Sequence, residues 1–242
     1  MKPLNKLLLS TALSFGVASG AAAYTIDDDG ADQYIGAGSA GDVLGAARDF
    51  AVFGMDVSSD MSYLYVDVST NFEEHSGWKY GDLFISTDGW NPFGAAPYAN
   101  DNSSNGESWE YAVDVSSLLA GSANLMNLAG ATIQNSEDVH GASSVRAGQE
   151  VRFGSGGTVA GSSALSISGE DRNNATITML SFQIALADLG LDALNPQEIG
   201  LRWTMTCAND ITEGSYTVPE PGTLALLGLG LIGLSLRKRA KA

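Results

Sequence analysis

The chain reads as an all-β protein, an antiparallel two-sheet β-sandwich, and three observations lead there. Apolar and polar residues alternate with a period of two, the stretches between these runs are dense in Gly, Asn and Asp, and few segments keep the 3.6-residue period of a helix. Short strands joined by tight turns cannot bury an apolar face singly, so they pack sheet on sheet. No fixed internal period is present, which argues against a propeller or solenoid.

The elements follow in chain order. Lys2 and Lys6 form a basic head, Leu7 to Val17 an apolar stretch, and Ala21-Ala22-Ala23 a small-residue cleavage site. This is the pattern of a secretory signal peptide over residues 1–23, with Ala21 and Ala23 at the positions a signal peptidase reads, and it is too short for a membrane span. Tyr24 then begins a body that runs to Val218, one β-sandwich domain long enough to bury its own core. Ala40 to Arg48 is expected to form a short helix. In Ser62 to Ser69, Leu64, Val66 and Val68 alternate with Tyr63, Tyr65 and Asp67, a strand with one face on a core. Trp109, Tyr111, Val113 and Val115 alternate with Glu110, Ala112 and Asp114, and Ile199, Leu201, Trp203, Met205 and Cys207 alternate with Gly200, Arg202, Thr204 and Thr206. Asp88 to Pro92, Asn100 to Gly106 and Gly154 to Gly157 are turns. A second short helix is expected over Ala187 to Ala193.

The last part, residues 219–242, has three pieces: Pro219-Glu220-Pro221, an apolar stretch from Gly222 to Leu236, and the basic cluster Arg237, Lys238, Arg239 and Lys241. A helix over the apolar stretch is about 22 Å long, short of the ~30 Å hydrocarbon core, so it anchors only marginally. The prolines keep the chain before it extended, as a processing enzyme requires. The basic cluster stays on the cytoplasmic side and leaves Glu220 and the body outside. The order and spacing closely resemble the PEP-CTERM sorting signal of Gram-negative bacteria. That resemblance implies an exported precursor, held briefly in the inner membrane, cut near Pro219 by an exosortase and passed to the outer surface or the medium. A plain C-terminal anchor is the alternative.

Charge excludes one class of partner. The whole chain carries −16, and removing both ends strips six of its 12 basic residues but only Glu220 of its 28 acidic ones, leaving −21. Such a body repels nucleic acid and anionic lipopolysaccharide unless divalent cations intervene, with a solvated acidic surface that keeps an exported protein soluble as the plain explanation. Two histidines and one cysteine do not make a zinc or iron–sulfur site, and Cys207, without a partner for a disulfide, is expected to be a buried core thiol.

Within the body, the succession from Phe53 to Val57, Tyr63 to Val68, Gly81 to Asp88, Phe182 to Gly190 and Leu201 to Met205 is similar to the DOMON-like group, which includes family 9 carbohydrate-binding modules. The resemblance covers about a third of the body and implies a jelly-roll-like sandwich that binds a sugar or a haem. Haem would need axial ligands, and His75 and His140 lie in polar segments. Sugar binding would use aromatic rings on pyranose faces with carboxylates and amides on the hydroxyls. Trp78 and Trp90, in loop contexts flanking one strand, are the stacking candidates, with lids over the core as the competing reading. Trp109 and Trp203 belong to the core.

The acidic run from Asp27 to Asp32 is the candidate metal site. Hard oxygen ligands beside a glycine suit Ca²⁺, but position 38, where a calcium loop would place its bidentate Glu, is Gly38. If the first and last strands meet, Asp210 joins Asp27 and Asp29 as ligands; a charged turn without an ion is the alternative. No nucleophile elbow, zinc helix or phosphate loop is present. The expectation is therefore a non-enzyme, an exported surface or matrix protein associated with exopolysaccharide and biofilm, with a secreted glycosidase-like enzyme as the alternative.

Overall fold

A computed structural model describes residues 23–28, 34–172, 175–192 and 197–218. The predicted signal peptide up to residue 22 and the tail from Pro219 lie outside the described residues. Twelve strands are present among those described: β1 (Tyr24–Asp27), β2 (Val52–Ser59), β3 (Tyr63–Thr70), β4 (Leu83–Ser86), β5 (Tyr111–Leu119), β6 (Ser122–Asn127), β7 (Thr132–Asn135), β8 (Glu150–Ser155), β9 (Thr158–Arg172), β10 (Ala175–Ala185), β11 (Gln197–Thr204) and β12 (Ile211–Val218).

Ten of these form one antiparallel sheet in the order β1-β2-β3-β10-β9-β6-β5-β4-β11-β12, and β7 and β8 form a separate ribbon. The all-β antiparallel class is the one the alternation predicts. The ribbon supplies the small second sheet, and the larger sheet runs as one continuous ladder through the pairing of β6 with β9, with a register shift between Leu125 and Met126. The sheet curls until its two ends pack together, as three contacts between them show. The Ser59 and Tyr216 hydroxyls are 3.0 Å apart, the Tyr24 and Tyr216 rings lie 6.4 Å apart, and Gly214 sits so close to Ile26 that a Cβ there would come within 2.7 Å of its methyl. Any side chain at 214 would push the ends apart.

The interior of this curl is the main core. Leu64, Val66 and Val68 of β3, Leu180, Phe182 and Ile184 of β10, and Ile199, Leu201 and Trp203 of β11 all point into it, as their period of two requires. Met205 and Cys207, just past β11, continue the same face, and burial pushes the Cys207 thiol up to about 11. Gly54 marks the bulge in β2, where φ is +123° and a Cβ would strike the Ile26 carbonyl, so this crossing of β1 and β2 accepts only glycine.

A second apolar cluster lies on the outer face of β4, β5 and β6, where Phe84, Trp109, Ala112, Met126 and Leu128 are covered by Ile133 and Phe153 of the ribbon. Trp109 is buried as expected but in this outer layer, because it precedes β5 and leaves the register of Val113 and Val115.

Helices are shorter than predicted. The stretch from Ala40 forms only the single turn α1 (Ala47–Phe50), because Gly41 and Gly45 take φ of +82° and +98°, outside the helical region. The stretch from Ala187 gives a 3₁₀ turn, Leu186–Leu189, ended by Gly190 at φ +70°. A helix not predicted, α2 (Ser136–His140), starts where the Asn135 amide donates to the Asp138 carboxylate at 2.9 Å.

Candidate metal centre

Where the two ends of the sheet meet, three acidic side chains from separate parts of the chain converge. Asp28 follows β1, Asp42 lies in the loop before α1, and Asp210 closes the turn between β11 and β12. One oxygen from each lies within 4.8 Å of the others. The alternation of β1 accounts for the first: Ile26 is in the core, Asp27 is exposed, and Asp28 turns back inward.

The surrounding loops are held by main-chain bonds. Leu44 N donates to Asn209 O at 2.7 Å. Val52 N and Ile211 N donate to the two oxygens of Asp210 at 2.6 and 3.0 Å. Arg146 reaches in from the segment before β8 and donates to the carbonyls of Ile35 at 2.6 Å, Asn209 at 3.0 Å and Asp42. Its guanidinium thus fastens the loop backbone.

Asp28 stands apart. It is 1% exposed, and neither carboxylate oxygen has a hydrogen-bond partner among the described residues. Burial, then the Asp210 and Asp42 carboxylates, hold it well above the usual range, and Arg146 only partly offsets them. Burial likewise pushes Asp210 up to about 7. Asn209 Oδ1 is also buried without a donor. The arrangement is rich in oxygen acceptors and short of positive charge.

Of the acidic residues singled out from sequence, Asp210 therefore sits in this cluster and Asp27 faces outward from β1; Asp29 lies outside the described residues. Asp28 lies inside the acidic run singled out from sequence, although Asp27 and Asp29 were the ligands chosen within it, and Asp42 was missed. Asp28 is the inward choice because Ile26 fixes the inward face of β1. Asp42 has no local signal.

The two loop tryptophans have their polar or aromatic faces engaged by the protein. Trp78 is half-buried against the core, with its ring stacked on His140 at 4.4 Å, while His140 Nε2 meets the Thr206 hydroxyl at 2.8 Å. Trp90 donates its indole N–H to Glu213 at 2.8 Å and meets Tyr98 edge-on. An open cleft of about 750 Å³ lies beside the His75–Trp78 bridge, where Phe50 and Phe53 are accompanied by Asn71, Glu73 and His75.

Behind Trp90 lies a second buried charge cluster. Arg202 donates to Glu213 at 2.6 Å and to the Gln149 side-chain oxygen at 2.7 Å, and lies 3.7 Å from the Glu150 carboxylate. Burial pulls its guanidinium down, but Glu213 and Glu150 outweigh this and leave it raised. Burial pushes Glu213 the other way, towards its neutral form, against Arg202. Donors on both Glu213 oxygens favour the carboxylate, so the pair is ionic.

Residues 217–240 fit the PEP-CTERM protein-sorting motif. The chain is thus an exported protein sorted at the membrane by an exosortase. The sorting residues Pro219, Glu220, Pro221, Arg237, Lys238 and Arg239 lie outside the described residues, as does Ala21, while Ala23 is exposed just before β1. No curated protein and no solved structure matches the chain, and the resemblance of the body to DOMON-like modules finds no support among them.

Proposed function

We propose that the mature protein is a non-catalytic component of the cell surface or extracellular matrix, released from its leader by signal peptidase and from its tail by the exosortase, and associated with exopolysaccharide. The observation that carries this reading is the sorting motif at residues 217–240, which addresses a compact acidic β-domain to the envelope. Glycan contact is assigned to the cleft beside α1. There the rings of Phe50 and Phe53 offer apolar faces for sugar C–H surfaces, and Asn71 and Glu73 offer groups for hydroxyls. Trp78 adjoins that cleft through its bridge to His75, whereas Trp90 packs against Tyr98 and Glu213 elsewhere.

Retention of the exported protein on the producing organism's own exopolysaccharide tests the reading. Phe53→Ala should weaken retention by about 1–3 kcal/mol if the ring is an anchor, and Trp78→Ala should act chiefly through stability. Release of reducing ends from the polysaccharide would replace this reading by the glycosidase-like one, and failure to bind any envelope glycan would remove the sugar. Processing has its own measurement. Intact mass of the envelope or medium form should show a chain from near Tyr24 to near Pro219, and recovery of only a form ending in Arg237 to Ala242 would refute sorting.

A further inference from the structure

Three carboxylates and one guanidinium share the closure between the first strand and the β11–β12 turn. If all are ionised, the cluster carries a net −2, with Asp28 and Asp210 shielded from water and Asp42 partly exposed. Buried like charges are costly without compensation. Asp28 makes the deficit concrete, since a 1% exposed carboxylate with no donor on either oxygen has exchanged its hydration for nothing among the described residues. A divalent cation supplies the missing charge and ligands together.

We propose that Asp28, Asp42 and Asp210 form a calcium site that clamps β1 and the loop after it to the β11–β12 turn. The ligand atoms are all oxygens, which selects a hard cation over zinc or copper. Oxygens sharing one Ca²⁺ at 2.3–2.6 Å lie no more than about 5 Å apart, and one oxygen from each of the three carboxylates meets that limit at 4.8 Å. Each Asp210 oxygen accepts one main-chain N–H and keeps a lone pair for a metal. The buried, donor-free Asn209 Oδ1 is one residue away. Magnesium dehydrates reluctantly and demands near-octahedral geometry, whereas calcium accepts an irregular protein cage. A buried site assembled from three loops therefore favours calcium. Because Asp28, Asp42 and Asp210 are far apart in sequence, binding joins segments that meet only in the folded domain, so the ion stabilises the native state.

The experiment is calorimetric titration of the full-length exported protein with calcium chloride and, separately, magnesium chloride, paired with thermal melts in calcium and in chelator. Calcium should bind with a Kd of about 10⁻³ M or tighter, the scale of extracellular modules, at least tenfold more tightly than magnesium, and should raise the melting temperature. Asp28→Asn should lose at least tenfold in calcium affinity yet melt no lower than the parent in chelator, because the carboxyl it replaces has no hydrogen-bond partner among the described residues. Asp42→Asn, on a partly exposed loop, gives the same reading should Asp28→Asn fail to fold. Asp56→Asn, an exposed acid on β2, should keep the full calcium response. Absence of calcium heat with coincident melts overturns the site, as does magnesium binding equal to calcium. So does parental affinity in the Asp28 or Asp42 variant, or an Asp56 variant that loses as much as they do.

Discussion

Two buried clusters in this domain have the same formal make-up, three carboxylates around one arginine, and opposite wiring. Around Arg202, the guanidinium donates directly to Glu213, lies against Glu150 and bonds Gln149, while Trp90 caps the other Glu213 oxygen; the third carboxylate, Asp101, is buried within electrostatic reach of Arg202 and accepts Phe93 N at 2.6 Å. Around Arg146, the guanidinium donates to the carbonyls of Ile35, Asp42 and Asn209, and Asp28 receives no donor among the described residues. Counting charges does not separate the two. The direction of the donors does, and it marks the first cluster as a finished ion-pair network and the second as one left short of donors, where the cation is proposed.

The sharpest way to break this contrast is Arg202→Met. It removes the charge that Glu213 and Glu150 face and leaves both buried and uncompensated, which should cost about 3–5 kcal/mol in urea unfolding. The loss should be the same in calcium and in chelator, since every described donor there is already committed. A calcium-dependent penalty would mean that the two clusters are not independent.

Asp82 is an intermediate case, a buried carboxylate with donors on both oxygens but no guanidinium bonded to it. Val115 N and Phe153 N donate to it at 2.8 and 2.6 Å, joining β5 to the ribbon, and burial pushes it up to about 7 against those bonds. The unfolded carboxyl has lost its proton well before pH 5, while the folded one keeps it to about 7. The unfolded state thus binds fewer protons across that window, and stability falls as pH rises through it. From about pH 5 to about pH 8 the parent should lose on the order of 2–3 kcal/mol through this group. Asp82→Asn should flatten that slope, although it also lowers stability at every pH by facing an N–H with a donor. An unchanged slope would show that Asp82 is ionised throughout.

Trp90→Phe isolates one donor of the finished cluster. It keeps the ring against Tyr98 but strips the bond to Glu213, and a lost hydrogen bond to a charged group should cost about 1.5–2 kcal/mol. A smaller loss would mean that Arg202 alone satisfies Glu213.

How much of this was legible in the sequence depends on whether the signal was local. The tail was readable because its triplet, apolar stretch and basic cluster are contiguous. The strand faces were readable because period two is local, and Ile199, Leu201, Trp203, Met205 and Cys207 all reach the core. The outer faces of β4, β11 and β12 were not. Arg202, Thr204 and Glu213 are as buried as Trp203, because the ribbon and the loops around Trp90 and Tyr98 cover them, and coverings of that kind carry no period. Asp42 could not be found for the same reason, since its place beside Asp28 is set by how the sheet closes. Asp28 itself was within reach, as it shares the inward face that Ile26 marks.

The smallest expected effect calibrates the buried clusters against solvent. Lys79 Nζ lies 2.8 Å from Glu74, as close as most contacts around Arg202, but the two side chains are 52% and 34% exposed. Water already solvates both charges, and holding two flexible chains together offsets much of the Coulomb gain, so such a pair is worth about 0.2–1 kcal/mol. Lys79→Ala should therefore shift urea stability by no more than that, and added salt should shrink the difference between variant and parent. Glu74 also accepts the Tyr80 amide at 3.1 Å, so it keeps a partner when the lysine is removed. A loss approaching that of Arg202→Met would mean that distance rather than burial sets the worth of an ion pair here, and the contrast between the two arginine clusters would lose its basis.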